Sequence, residues 1–173
     1  MIIQVPKKML IIILISLLTC GVSASVEQQY QDCGPVGTYK VNQVLLDVDC
    51  KNGPPCCLPL NIPAVTTISF KATNIPAEDL KPSVYAVIEG SKKDGEVIPS
   101  NCPADVCPIY PDDEKTYMPQ FIFRQHMDPV LVKLYWNVMN YKDQQLFCFY
   151  IPLIFYDPTS DDCPVLLTNS TLF

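Results

Sequence analysis

Nine cysteines in 173 residues constrain the fold of this chain more than any other feature. Cys20 lies in an apolar N-terminal stretch, and the other eight are spread from Cys33 to Cys163. In a secreted chain, eight cysteines predict a disulfide framework that links distant segments. Zinc is the alternative, but the sequence has neither CxxC pairs nor histidines at ligand spacing, since His126 is its only histidine. The cysteine count alone leaves 105 pairings open.

The first 24 residues have the pattern of a secretory signal peptide. Lys7 and Lys8 precede the apolar run 9–18, and residues 22–24 are small enough for a cleavage site. The run is shorter than the roughly 20 apolar residues that span a bilayer, which disfavours a membrane anchor. A lipoprotein is the other alternative, and the bulky Thr19 before Cys20 disfavours it. We therefore expect residues 1–24 to be removed and the protein to be secreted, either to the extracellular fluid or to the endolysosomal lumen.

Residues 25–156 have the length of one domain with a hydrophobic core. The polar tail 157–173 follows and contains the N-glycosylation sequon at Asn169. The formal net charge is −6, and removal of Lys7 and Lys8 takes it to −8. No basic cluster remains to neutralise phosphates, so nucleic acid is not expected as a partner.

The apolar runs predict an all-β chain, because prolines separate them and few have the length of an amphipathic helix. The clearest strand is 130–138, in which Val132, Leu134, Trp136 and Val138 share one face. Polar residues 140–144 make a hairpin turn to a second strand. The predicted strands are 38–48, 65–72, 84–90, 117–125, 130–138 and 146–155, and the predicted loops are 50–59 and 92–113. This pattern indicates an immunoglobulin-like β-sandwich of two antiparallel sheets.

Several strings resemble the ML-domain lipid-recognition family, and most closely its sterol-carrier branch in the Niemann–Pick type C pathway. They include YQDCG at 30–34, CPADVCPI at 102–109, KTY at 115–117 and QLFCFYIP at 145–152. Cys50 and Cys56 followed by Leu58, and the strand of Trp136, occur in the order that the family has. The resemblance covers residues 30–156.

The resemblance implies three disulfides, which are Cys33–Cys148, Cys50–Cys56 and Cys102–Cys107. The first closes most of the domain, and the chain-entropy model gives about 4.7 kcal/mol for a loop of about 100 residues. Cys57 and Cys163 lie outside the family pattern, and both remain after removal of the leader. We predict that they form a fourth bond; the alternative is that Cys57 competes with Cys56 for Cys50.

The resemblance also implies a splayed sandwich with an apolar cavity for a sterol or fatty-acid-like lipid. The expected lining residues are Ile68, Phe70, Trp136, Phe149, Ile151 and Leu153. Periodicity does not distinguish such a lining from an ordinary core, and without the resemblance these residues would be assigned to a core. Three apolar residues gate the family's pocket, and two correspond to Phe123 and Met127. The loop that holds the third is about five residues shorter here and lacks its aromatic residue, so Val97 or Ile98 takes this role.

These expectations predict a secreted, monomeric lipid carrier that docks transiently on a membrane or a receptor. The first alternative is an innate-immune co-receptor for lipids, which would need basic residues at the mouth; only Lys92, Lys93 and Arg124 lie near it. The second is a structural or hormone-like domain without a cavity.

The sequence predicts neither an enzyme nor a metal or cofactor site. His126 lies in a predicted loop with no G-x-S-x-G nucleophile motif nearby. The acidic residues 112–114 and 161–162 lack the alternating ligand spacing of a calcium loop, so a solvated acidic face is expected there.

Overall fold

The structure, a computed structural model, describes residues 25–33, 39–51, 53–159 and 162–163. In these ranges the regular secondary structure consists of β-strands alone. The predicted leader, residues 1–24, and the sequon at Asn169 lie outside the described residues. The strands are β1 (Val26–Glu27), β2 (Gln31–Asp32), β3 (Tyr39–Leu46), β4 (Cys56–Pro59), β5 (Ala64–Ala72), β6 (Lys81–Ile88), β7 (Ser91–Ile98), β8 (Glu114–Tyr117), β9 (Gln120–Ile122), β10 (Val130–Met139) and β11 (Gln145–Tyr156). Within those described ranges, no helix is long and apolar enough to cross a bilayer.

The strands form two sheets that are joined along one side. Sheet 1 contains β1, β3, β5 and β8, and sheet 2 contains β7, β6, β10 and β11, with β2 and β4 both paired to β11. The short strand β9 pairs with β5 and also with β7, so it connects the two sheets. All these pairs are antiparallel except β4 with β11. The result is a curled all-β sandwich, as the sequence predicts.

The alternation of buried and exposed side chains explains why the two sheets pack against each other. Every second residue of β5, from Ala64 to Ala72, is buried, and the residues between them are partly exposed. Strand β10 buries Val132, Leu134, Trp136 and Val138 in the same way, which confirms the predicted face. Because successive strand residues point to opposite faces, each sheet presents one apolar face to the other.

The predicted loops at 50–59 and 92–113 are partly wrong, because they contain β4 and β7. Strand β7 has no apolar alternation: Lys92, Lys93 and Asp94 follow one another and are exposed. Its backbone nevertheless pairs with β6 and then with β9. Strands with one solvated face at a sheet margin are commonly charged, and this hides them from a search for hydrophobic periodicity. The predicted strand 117–125 also differs, since β8 begins at Glu114 and β9 ends at Ile122.

Four disulfides link the described cysteines, and they are the four predicted pairs. Cys33–Cys148 and Cys57–Cys163 close long segments, with sequence separations of 115 and 106. Cys50–Cys56 connects the chain just after β3 of sheet 1 to β4 of sheet 2, and the isolated bridge between Asp49 and Cys57 lies beside it. The sheets are therefore tied by β9 on one side and by Cys50–Cys56 on the other.

Candidate functional site

The space between the two sheets is lined by apolar side chains from both of them. Six predicted lining residues are buried there: Ile68, Phe70, Trp136, Phe149, Ile151 and Leu153. They belong to β5 and β10, whose buried positions recur at every second residue, and to β11, which buries Phe149, Ile151 and Leu153 at the same spacing. The structure thus brings these six residues together in one hydrophobic cluster.

Aromatic rings from the two sheets meet in this cluster. At one end, the Phe70 ring of sheet 1 lies 5.3 Å from the Phe147 ring of sheet 2, and Tyr39 stacks on Phe70 at 5.5 Å. Nearer the other end, the Phe121 ring of β9 and the Trp136 ring lie 5.5 Å apart in a T-shaped arrangement. In this conformation the opposed rings are in contact. A lipid placed between the sheets would replace contacts between rings by contacts with its own carbons.

The predicted mouth residues lie around β7, β9 and the segment 123–129, and they differ in orientation. Val97 stands opposite the buried Phe121, is half-buried and packs on the core. Ile98 stands opposite the exposed Gln120 and is 41% exposed, so it points away from the interior. Of the two alternatives for the third gating residue, the geometry favours Val97. Met127 is partly buried against the same core.

Phe123, the remaining predicted mouth residue, is enclosed. Its ring lies 4.8 Å from the Phe155 ring, and its side chain is only 1% exposed. Gly95 of β7 allows this close approach: a Cβ there would lie 2.9 Å from a ring carbon of Phe123 and 2.8 Å from a methyl carbon of Val84. A glycine at this position therefore leaves the space that the ring fills.

Three hydrogen bonds connect the segment 123–129 to other parts of the same chain. The Asn61 backbone N–H donates to the Phe123 carbonyl at 2.9 Å, and the Asn61 side-chain amide donates to the Gln125 carbonyl at 2.7 Å. His126 Nδ1 lies 2.6 Å from a carboxylate oxygen of Asp157. Hydrogen bonds from His126 and then from Thr159 lower the pKa of Asp157 to about 2. These hydrogen bonds anchor residues 123–126, which include Phe123 and directly precede Met127.

Three buried polar atoms interrupt the apolar interior. Thr66 Oγ1, Tyr117 Oη and Trp136 Nε1 are enclosed, and none has a hydrogen-bond partner among the described residues. Burial raises the pKa of Tyr117 to about 12, and the negative charge of Asp79 adds to this effect. Thr66 and Tyr117 are not among the site residues predicted from the sequence. Their positions in strand alternation were the available signal, since Thr66 occupies the same face as Ile68.

Two of the three basic residues that the sequence suggested near the mouth are paired with acids. Lys92 Nζ lies 2.7 Å from Asp94, and Arg124 Nε lies 3.1 Å from Glu96. Such pairs leave less positive charge for lipid phosphates than free cations would. Among the described residues, no three His, Cys, Asp or Glu side chains are grouped so as to hold a metal ion.

Comparison with known proteins agrees with this architecture. The model of the ML-domain family matches residues 27–155. The crystal structure of a Niemann–Pick type C2 protein from the Japanese carpenter ant is similar, with a TM-score of 0.57 and 15% sequence identity. The match covers 73% of this chain and 98% of the ant protein. At this identity the likeness establishes the fold.

Proposed function

The chain belongs to the ML-domain family and is a lipid-binding domain, and from this premise we propose that it is a secreted or endolysosomal carrier. It binds a sterol or another apolar lipid between its two sheets, and it delivers the lipid by brief docking on a membrane or a receptor. No covalent step is required for this role.

The observation that carries the proposal is the pair of apolar inner faces that strands β5, β10 and β11 present between the two sheets. Six buried side chains that the sequence analysis assigned to the lining meet there. A ligand of about two dozen heavy atoms, at roughly 0.3 kcal/mol per atom, gains about 7 to 8 kcal/mol. This free energy corresponds to a micromolar dissociation constant, which retains an insoluble lipid yet permits its release.

We expect the lipid to enter at the segment 123–129. Separation of the two sheets is not expected at the end of the sandwich that β9 and the Cys50–Cys56 bond hold. Strand β9 and the Cys50–Cys56 bond tie the sheets on both sides there, so their spacing is fixed. Phe123 and Met127 lie on the adjoining segment, and Met adapts to irregular ligands because its side chain is flexible. Movement of these two side chains, with Val97, would open the mouth.

The experiment uses two neighbouring residues of β7 as a matched pair. Val97 faces the core and Ile98 faces outwards. We expect Val97→Asp to weaken binding of the fluorescent sterol dehydroergosterol by at least about tenfold, because a charge at the mouth is costly to desolvate. Ile98→Asp should leave the affinity unchanged, and Phe123→Asp should behave as Val97→Asp does.

The assay starts with secreted protein, from which copurifying lipid is extracted and identified. Lipid in the extract and micromolar sterol binding support the carrier. An extract without lipid, together with no binding of sterol or fatty acid above background, would sink the proposal. Equal binding by the Val97 and Ile98 variants would refute the assignment of the mouth.

The co-receptor alternative is less favoured by the charges. Lys92 and Arg124, two of the three basic residues that the sequence suggested near the mouth, each form an ion pair. A site for lipid phosphates needs cations that are free to contact them. Binding of an anionic glycolipid in preference to a sterol would favour the co-receptor instead.

A further inference from the structure

The three unpartnered polar atoms occupy one region of the interior. Thr66 and Tyr117 lie on the inner face of sheet 1, because β5 and β8 pair with Ile68 opposite Tyr117. Thr66 is two residues from Ile68 on the same face, so it is a diagonal neighbour of Tyr117. Each side chain is wholly buried.

Trp136 of sheet 2 is connected to this pair through Phe121. Its ring meets the Phe121 ring, and Phe121 stands opposite Ala64, the residue two before Thr66 on the same face. Phe121 is thus a diagonal neighbour of Thr66 and touches Trp136. The register therefore places Thr66 between Tyr117 and Phe121, and Phe121 is in contact with Trp136.

This region lies between the mouth and the aromatic cluster of the far end. Phe121 pairs with Val97 of the mouth, and its ring lies 6.2 Å from that of Phe123. Tyr39, Phe70 and Phe147 pack together farther along, where β5 ends. A lipid that entered tail first would therefore place its hydrocarbon against those rings and its polar end beside Phe121.

We propose that the ligand carries a neutral hydroxyl group, which is held just inside the mouth by Thr66, Tyr117 and Trp136. This inference rests on the proposed lipid-carrier function and specifies its ligand class. Buried tryptophan N–H and tyrosine O–H groups usually have hydrogen-bond partners, so three without one in the same region mark a place that a ligand completes.

The chemistry of the three groups selects a hydroxyl. Trp136 Nε1 only donates, whereas the Thr66 and Tyr117 hydroxyls donate or accept. A ligand hydroxyl accepts from the tryptophan and from one side-chain hydroxyl, and it donates to the other. A carboxylate would bring a charge into an interior where, among the described residues, no lysine or arginine is buried. The raised pKa of Tyr117 agrees with a site that disfavours negative charge.

The test compares ligands that differ by one hydroxyl. Equilibrium binding of radiolabelled cholesterol and of 5-cholestene, which lacks the hydroxyl, is measured with the delipidated full-length secreted protein. We expect about tenfold tighter binding of cholesterol, since an unpaired buried polar group is costly. Tyr117→Phe and Thr66→Val should each reduce this ratio several-fold and leave the affinity for 5-cholestene unchanged. Both replacements conserve volume.

Tyr135→Phe is the control, because Tyr135 lies on the outer face of β10 between the rings of Tyr85 and Tyr150. It should leave both affinities unchanged. Equal binding of the two lipids by the unmodified protein, or an unchanged ratio in both interior variants, overturns the inference while the carrier function stands. Binding of neither lipid refutes both. Tighter binding of palmitate than of 1-hexadecanol overturns the preference for a neutral group.

Discussion

Removal of one hydroxyl from the interior should stabilise the lipid-free protein. Tyr117 is fully buried, and its hydroxyl has no partner among the described residues. Leaving a polar group unpaired in a protein interior costs about 1 to 3 kcal/mol. Tyr117→Phe removes this cost and keeps the ring, so we expect the free energy of unfolding to rise by about 1 kcal/mol. For a domain of this size the melting temperature would increase by about 3 °C.

Tyr39 provides the matched control. It is also buried, but its hydroxyl donates to the Ile75 carbonyl at 2.8 Å. Tyr39→Phe leaves that carbonyl without its donor and should lower the free energy of unfolding by about 1 kcal/mol. Urea unfolding of delipidated protein with intact disulfides measures both changes. Destabilisation of similar size in the two variants would refute the argument, because it would show that the Tyr117 hydroxyl has a partner in the lipid-free state.

Two further predictions concern the disulfides and the contact between His126 and Asp157. The double variant Cys57→Ser with Cys163→Ser opens a link with a sequence separation of 106, and Cys102→Ser with Cys107→Ser opens one of 5. The chain-entropy model gives about 5 kcal/mol for the first and about 2 for the second, so thermal unfolding should show the larger loss for the Cys57 pair; equal losses would contradict this. The lowered pKa of Asp157 means that its stabilisation is present above its ordinary pKa of 3.8 and is lost as the pH falls towards 2. Stability of the unmodified protein should therefore fall more steeply between pH 4 and 2 than that of Asp157→Asn, and identical slopes in urea titrations would argue against the His126–Asp157 contact.

Strands with a clear alternation of apolar residues could be predicted from the sequence. The face of Val132, Leu134, Trp136 and Val138 is an example, because β10 is central and its inner side is fully buried. The residues of β7 could not be predicted in this way. Its exposed charges satisfy no hydrophobic pattern, and its position depends on backbone pairing with β6 and β9.

The candidate site was only partly predictable for a similar reason. The burial of the predicted lining residues Ile68 and Phe149 follows from the strand period, and their assignment to a lining follows from the family resemblance. The opposite orientations of Val97 and Ile98 depend on the register with β9, which is a contact between segments distant in sequence. The three unpartnered polar atoms required knowledge of every neighbouring donor and acceptor, and sequence alone does not supply this.

The most direct test of lipid binding between the sheets uses Trp136, the only tryptophan of the chain. It is fully buried at the centre of the proposed site. A bromine atom quenches tryptophan fluorescence at contact range, so titration with a ring-brominated sterol reports whether the ligand reaches the interior. We predict quenching that saturates at one sterol per protein, with no quenching by the unbrominated sterol. Stoichiometric binding without quenching would contradict the account, because the lipid would then bind away from Trp136.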